Sequence, residues 1–173
     1  MFNKIKILVV IFSVFALQAC GTFKFQPQEY PLRDGLIPQM KVVGNVKVSN
    51  VQESKEPTIV YSYGGSKLES NYFDITEVMV NQARKELIKN GEIIASPLDK
   101  SIDLKVNFLE SQYKVFHWKS EIRFTVTLGN GDSFDMVTNH GSGVLQQDLN
   151  GCIAEAVMNL FKNQRVRDYL AQE

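Results

Sequence analysis

A chain of 173 residues with 19 basic and 19 acidic side chains leaves room for one domain, and it carries no basic excess that would argue for nucleic acid. Its apolar content is ordinary for a globular protein, with enough Phe, Ile, Leu and Val to bury a core, and neither an internal repeat nor a low-complexity tract is present. Its two cysteines are Cys20 and Cys152.

Lys4 and Lys6 supply a short basic region, and from Ile5 to Leu17 the chain is apolar apart from Lys6 and Ser13. About thirteen residues are too few for the roughly 20 that cross a hydrocarbon core as a helix, but they suit the apolar region of a secretory signal. The run closes with Leu17-Gln18-Ala19-Cys20 before Gly21, which resembles the lipobox of bacterial lipoproteins. That resemblance implies a signal peptide over 1–19, a diacylglycerol on the Cys20 thiol and acylation of the new amino group. The alternative is an ordinary secretory signal with a chance cysteine at its end. At roughly 0.8 kcal/mol per buried methylene, two or more acyl chains anchor stably where one does not. In Gram-negative lipoproteins an Asp directly after the cysteine commonly retains the protein at the inner membrane, so Gly21 implies the outer membrane, lipid-anchored and facing the periplasm. With Cys20 acylated, Cys152 has no partner for an internal disulfide, and the fold must stand on packing. Loss of Lys4 and Lys6 with the signal leaves a slight acidic excess.

Residues 20–38 carry Pro27, Pro31 and Pro38 and few apolar residues in periodic order, so an extended tether is expected, with a reach of roughly 50 Å. Phe23, Phe25 and Tyr30 within it either lie on the membrane, lie on the domain or belong to a solvated linker. The folded domain is expected over 39–173. Val42, Gly44, Val46 and Val48 fall at period two and predict a strand with one covered face; Thr58–Tyr63, rich in β-branched and aromatic residues, predicts a second, stopped by Gly64-Gly65. Asp74 with Glu77 predicts a capping box, and Ile75, Val78, Met79, Ala83, Leu87 and Ile88 form an apolar helical stripe ending at a left-handed stop at Asn90-Gly91.

Glu92–Ala95 predicts a short strand before a Ser96-Pro97 turn. From Ser101 the alternation Ile102, Leu104, Val106 and Phe108 is strong, and Leu109 disturbs it, which predicts a bulge or a switch of covered face. A turn near Phe116–Lys119 leads to Ile122, Phe124, Val126 and Leu128. Gly129-Asn130-Gly131-Asp132 is a hairpin signal, and Phe134 and Met136 continue a last strand to about His140. A final amphipathic helix is predicted over Leu149–Leu170. These elements predict a single two-layer α+β domain, a mainly antiparallel sheet of about five or six strands with two amphipathic helices on one face.

Val46–Asn50, the helix ending at Asn90-Gly91, Ile102–Val106, Ile122–Gly131 and the closing Val166-Arg167-Asp168-Tyr169-Leu170, all behind a lipobox, resemble the YajG-type family of small Gram-negative lipoproteins. The resemblance covers most of the chain after the tether. It implies an outer-membrane lipoprotein with no established catalytic residues, and so it offers no site to carry over. The layout is more distantly similar to auxiliary lipoproteins of envelope transport systems.

Three patterns raise chemistry. Gly141-Ser142-Gly143 falls where a dinucleotide loop would fall, but Gln146 stands where the third glycine belongs and no Gly-Lys-Ser/Thr follows, so a plain connection is expected. Cys152 with His140 is a thiol and imidazole pair that could make a nucleophile, since a thiol in the first turn of a helix can have a lowered pKa and a nearby base could activate it; the competing reading, beside Ile153 and Ala154, is a small buried hydrophobe. His117 and His140, with Asp132 and Asp135, sit on separate predicted elements, and no metal site or cofactor is expected. Tyr113, Val115, Phe116, His117 and Trp118 cluster at a predicted hairpin end, where they either anchor a partner or touch lipid headgroups, or fold back to cap the sheet. Tyr61, Tyr63, Tyr72 and Phe73, flanking the Gly-Gly loop, pose the same choice.

The expectation is therefore a membrane-anchored, periplasm-facing lipoprotein, held through Cys20, that acts without catalysis as a binding or accessory protein for an envelope protein partner. The alternative is a lipid or small-ligand carrier subunit of an envelope transport system, which needs an apolar groove between helices and sheet.

Overall fold

The alternating stretches Ile102–Phe108 and Ile122–Leu128 form the middle of an antiparallel meander, and the other elements are arranged about it. The computed structural model describes residues 21–173; the expected signal peptide and Cys20 lie outside the described residues. In chain order the elements are β1 (Gly21–Lys24), β2 (Met40–Asn50), β3 (Thr58–Tyr63), β4 (Ser66–Ser70), α1 (Tyr72–Asn90), β5 (Gly91–Lys114), β6 (His117–Leu128), β7 (Ser133–Ser142), α2 (Leu145–Lys162) and α3 (Gln164–Ala171). The α+β class and the mainly antiparallel sheet agree with expectation, with seven strands in place of five or six and three helices in place of two among the described residues. Along the sheet the order is β1-β4-β3-β5-β6-β7, and β2 joins the edge of β5 that β3 also touches further along.

Inward pairs such as Leu104↔Val126 and Val106↔Phe124 are fully buried under the helices, whereas Lys105, Arg123 and their outward neighbours face solvent. At roughly 1.5–3 kcal/mol per fully buried large apolar side chain, this one-sided core is the main term holding the two layers together. The anticipated bulge falls at Asn107, between the Val106↔Phe124 and Phe108↔Arg123 pairs. It restores the inward phase, so that Leu109 and Ser111 are buried again.

The expected short strand and Ser96-Pro97 turn are instead parts of the single 24-residue strand β5. The turn signal becomes a wide bulge: the register with β2 jumps from Val43↔Ile94 to Asn45↔Asp99, and Gly44 sits opposite at a φ of +83°. A Cβ on Gly44 would lie 2.2 Å from the Leu98 carbonyl oxygen, so only glycine permits the approach.

Helix α1 begins earlier than predicted. Asn71 is its cap, accepting from the Asp74 amide at 2.8 Å, while Glu77 accepts from the Asn50 amide nitrogen at 3.1 Å rather than completing a capping box. Gly91 is not a left-handed stop; its φ is −86° and the chain runs straight into β5. The reason for glycine there is crowding, since a Cβ would meet the Leu87 carbonyl oxygen at 2.5 Å. The expected last helix starts at Leu145 and divides at Asn163, whose amide closes α2 and whose side chain accepts from the Arg165 amide to cap α3.

Over its described part, 21–38, the stretch expected as a tether lies on the domain. β1 pairs parallel with β4, and the chain then crosses the outer surface of both long helices as a strap. Phe25 and Ile37 are buried and Leu32 packs on the core. Gln82 of α1 holds the strap as a strand neighbour would, donating to the Tyr30 carbonyl at 2.7 Å and accepting from its amide at 3.4 Å. Asn150 of α2 accepts from the Gln28 amide at 3.0 Å, and Lys85 and Lys89 pair with Glu29 and Asp34. Proline suits such a strap because it preserves extended geometry where no ladder of backbone bonds is required.

Candidate functional site

Where the strap passes α2 it leaves a groove of about 580 Å³, lined by Tyr30, Leu32 and Leu36 from the strap and by Ala154 and Met158 from the helix. Its polar end is a pair from different elements: His140 Nδ1 of β7 and Glu155 Oε2 of α2 are 2.8 Å apart. The imidazole brings its Nε2 edge against Gly151, where a Cβ would lie 2.5 Å from Nε2. A glycine in the middle of a helix, normally a cost of about 1 kcal/mol relative to Ala, is thus the space that lets the His140 ring in. The arrangement can hold an apolar side chain or short apolar segment, with a hydrogen-bonding group at its end. Sequence reasoning did not find it, because half of the lining comes from the strap; the one available signal was Gly151.

The Cys152 and His140 pairing raised by the sequence does not form a nucleophile. Cys152 is fully buried, with Sγ 3.7 Å from the Thr138 carbonyl oxygen it faces, and the imidazole is engaged with Glu155. Burial, reinforced by the carboxylates of Asp148, Glu155 and Glu121, pushes the thiol far above its ordinary range, so it stays protonated and inert in the folded protein.

The histidines and carboxylates considered for metal are dispersed. His117 begins β6 at one end of the sheet, whereas Asp132 pairs with Arg165 at the other and Asp135 accepts from Thr125. Among the described residues no three His, Cys, Asp or Glu side chains converge. Gly141 and Ser142 belong to β7, and Gly143-Val144 is a two-residue connection to α2.

A buried carboxylate that the sequence did not single out is Asp148, in the first turn of α2. Its Oδ2 accepts from Ser111 Oγ of β5 at 2.7 Å and from Ser120 Oγ of β6, pinning the helix to both strands of the β5–β6 hairpin. The position suits a carboxylate, since the amide end of a helix favours negative charge.

Beyond that pin the aromatic cluster divides. Tyr63, Tyr113 and Trp118 form a row across three strands, with ring centroids 5.5 Å apart for the first pair and 5.2 Å for the second. Val115 and Phe116 make the turn itself and are exposed. Of the aromatics flanking Gly64-Gly65, Tyr61 is buried, Tyr72 packs on the core and Phe73 lies under the Lys55 ammonium at 4.3 Å.

Among the described residues no helix is long and apolar enough to cross a membrane. No family model matches the chain and no curated protein matches it, so the likeness to YajG-type lipoproteins rests on the residues quoted for it alone. Among the solved structures that match, two are similar at low identity as follows. One is lipoprotein GNA1162 from Neisseria meningitidis, 12% identical with a TM-score of 0.32, over 73% of this chain and 100% of that one. The other is a neuraminyllactose-binding hemagglutinin homologue from Helicobacter pylori, 9% identical with a TM-score of 0.26, over 83% of this chain and 97% of that one. Likeness at these scores does not establish a shared fold or activity.

Proposed function

We propose that the chain is a lipoprotein, held through acylated Cys20 on the periplasmic leaflet of an outer membrane, that acts without catalysis as a binding or accessory protein of the cell envelope. The lipobox supports the attachment, and the groove between strap and α2 carries the binding role. Its largely apolar walls, with the His140–Glu155 pair and Arg33 as the charged or polar groups of the lining, suit the side chains of a partner protein. The burial of Cys152, which also holds its thiol in the protonated form, counts against the thiol-dependent reading that the sequence raised. The carrier alternative requires space between the helices and the sheet, and that space is filled by fully buried Met79, Phe124 and Ile153.

A photo-crosslinking residue in place of half-buried Met158, in cells expressing the full chain, tests the groove. Capture of one envelope protein that is lost with Leu36→Glu, at an unchanged thermal midpoint, is the expected result. Equal capture with and without Leu36→Glu, or capture of no envelope protein, contradicts it.

A further inference from the structure

The strand register brings one end of each of six strands, β1, β3, β4, β5, β6 and β7, to the same end of the sheet. Gly21 pairs with Ser66, Ser66 with Tyr63, Tyr113 with Trp118 and Trp118 with Ser142, while Tyr61 pairs with Ser111 to join the two halves. The Gly64-Gly65 turn and the Val115-Phe116 turn both project from this end.

Three properties distinguish it. The first is exposed apolar surface: Phe116 is 88% exposed, Val115 71% and Tyr63 62%. The second is charge. Lys67, Lys114 and Lys119 are exposed there, and the last three residues of every strand at this end, with the two turns, contain no Asp or Glu. The third is a cost in backbone energy. Val115 has a φ of +50°, which a β-branched residue adopts only under constraint, and the Phe116 amide is drawn to 2.5 Å from the Lys114 carbonyl oxygen. The Tyr113 hydroxyl donates to the Val115 carbonyl at 2.6 Å and holds this geometry. Folding does not require it, since Asn-Gly or Gly would make the same turn without strain.

What covers this end follows from the chain that enters it. β1 begins at Gly21, so the residue that directly follows Cys20 in the sequence is already fixed in the sheet. A lipid anchor at that position has no spacer, and the headgroups must meet the sheet end itself. Exposed apolar tips with amphipathic aromatic rings just behind them and lysines around them match that boundary in depth order: acyl chain, interface, anionic headgroup.

We propose that this end of the sheet is a membrane-docking face, in which Val115 and Phe116 enter the leaflet that carries the acyl chains of Cys20 while Tyr63, Tyr113 and Trp118 lie at headgroup depth. The choice of leaflet rests on the lipoprotein reading above; the lipid-facing chemistry does not. The strands then stand up from the membrane, and the domain does not swing on a tether.

The test uses the full lipidated chain in vesicles of phosphatidylethanolamine and phosphatidylglycerol with brominated acyl chains. Trp118 is the one tryptophan, so Trp118→Phe frees the signal, and Phe116→Trp reports the tip. Blue-shifted emission quenched by the brominated chains is expected from Phe116→Trp. Unquenched, water-like emission is expected from Ile88→Trp, whose site is 78% exposed in the last turn of α1, where β5 begins and so at the opposite end of β5 from Lys114. Water-like emission from Phe116→Trp, or equal quenching at both sites, overturns the proposal, as does a tip shielded in cells yet wet on vesicles, which assigns the face to a protein. Mass spectrometry of the same preparation reads acylation of Cys20 separately. If Cys20 proves unmodified, the anchor reading fails alone, and vesicle binding of that protein still decides docking: a roughly tenfold loss with Phe116→Ser supports it and no binding overturns it.

Discussion

The turn from β5 to β6 and the turn from β6 to β7 stand at opposite ends of one strand, β6. At Gly129–Asp132 the chain uses residues suited to its geometry. Gly131 takes a φ of +89°, Asn130 accepts from the Asp132 amide at 3.0 Å, and Arg165 of α3 clamps Asp132 from outside. At Lys114–His117 a valine occupies the left-handed position and a phenylalanine points into solvent; the one side chain that holds the tip is the Tyr113 phenol. A turn made for folding agrees with the local preferences of its sequence, whereas a turn that violates them keeps its side chains for something other than the fold.

Three variants sharpen or break that contrast. The largest effect is expected at the base of the apolar hairpin, where Asp148→Ala leaves the Ser111 and Ser120 hydroxyls without their buried acceptor; it should lower stability by about 2–3 kcal/mol, read as a shift of the urea midpoint. An unchanged midpoint would show that the hairpin is held elsewhere. Val115→Gly should do the reverse, raising stability by about 1 kcal/mol, because relief of left-handed strain of about 1–2 kcal/mol outweighs the added entropy of glycine. A loss of stability on calorimetry would place the valine among residues the fold needs. The smallest effect belongs to the polar turn: Arg165→Ala should cost about 0.5 kcal/mol and less in high salt, as exposed ion pairs do. A cost above about 2 kcal/mol, indifferent to salt, would make this turn as dependent on one contact as the other.

The meander and α1 were legible because their periods, two and 3.6, are written in adjacent residues such as Ile102, Leu104 and Val106. The strap was not, since Phe25, Leu32 and Ile37 turn towards the core at intervals that match neither period, and prolines between them read as linker. Ser96-Pro97 carries a true breaker signal, but parallel pairing with β2 on both sides converts a turn into a bulge. The division at Asn163 was hidden because the apolar face continues through Val166 and Leu170 across it. Of the candidate regions, the aromatic hairpin end was visible as a cluster, though not its split into a row of tilted rings and an exposed tip. The groove was invisible because one wall is the strap.

The strap also sets an order of events. Gln28 meets Asn150 across 122 residues and Pro38 meets Arg167 across 129, so the strap is fixed through contacts of very high sequence separation. Contacts of that kind form slowly, since the loop between them must be closed before they reward the chain. A polypeptide emerging amino end first has to hold its opening residues in waiting until nearly all the rest has been made. The part of the molecule nearest Cys20 is then the last to take its place, and maturation of the amino end and completion of the fold become successive steps.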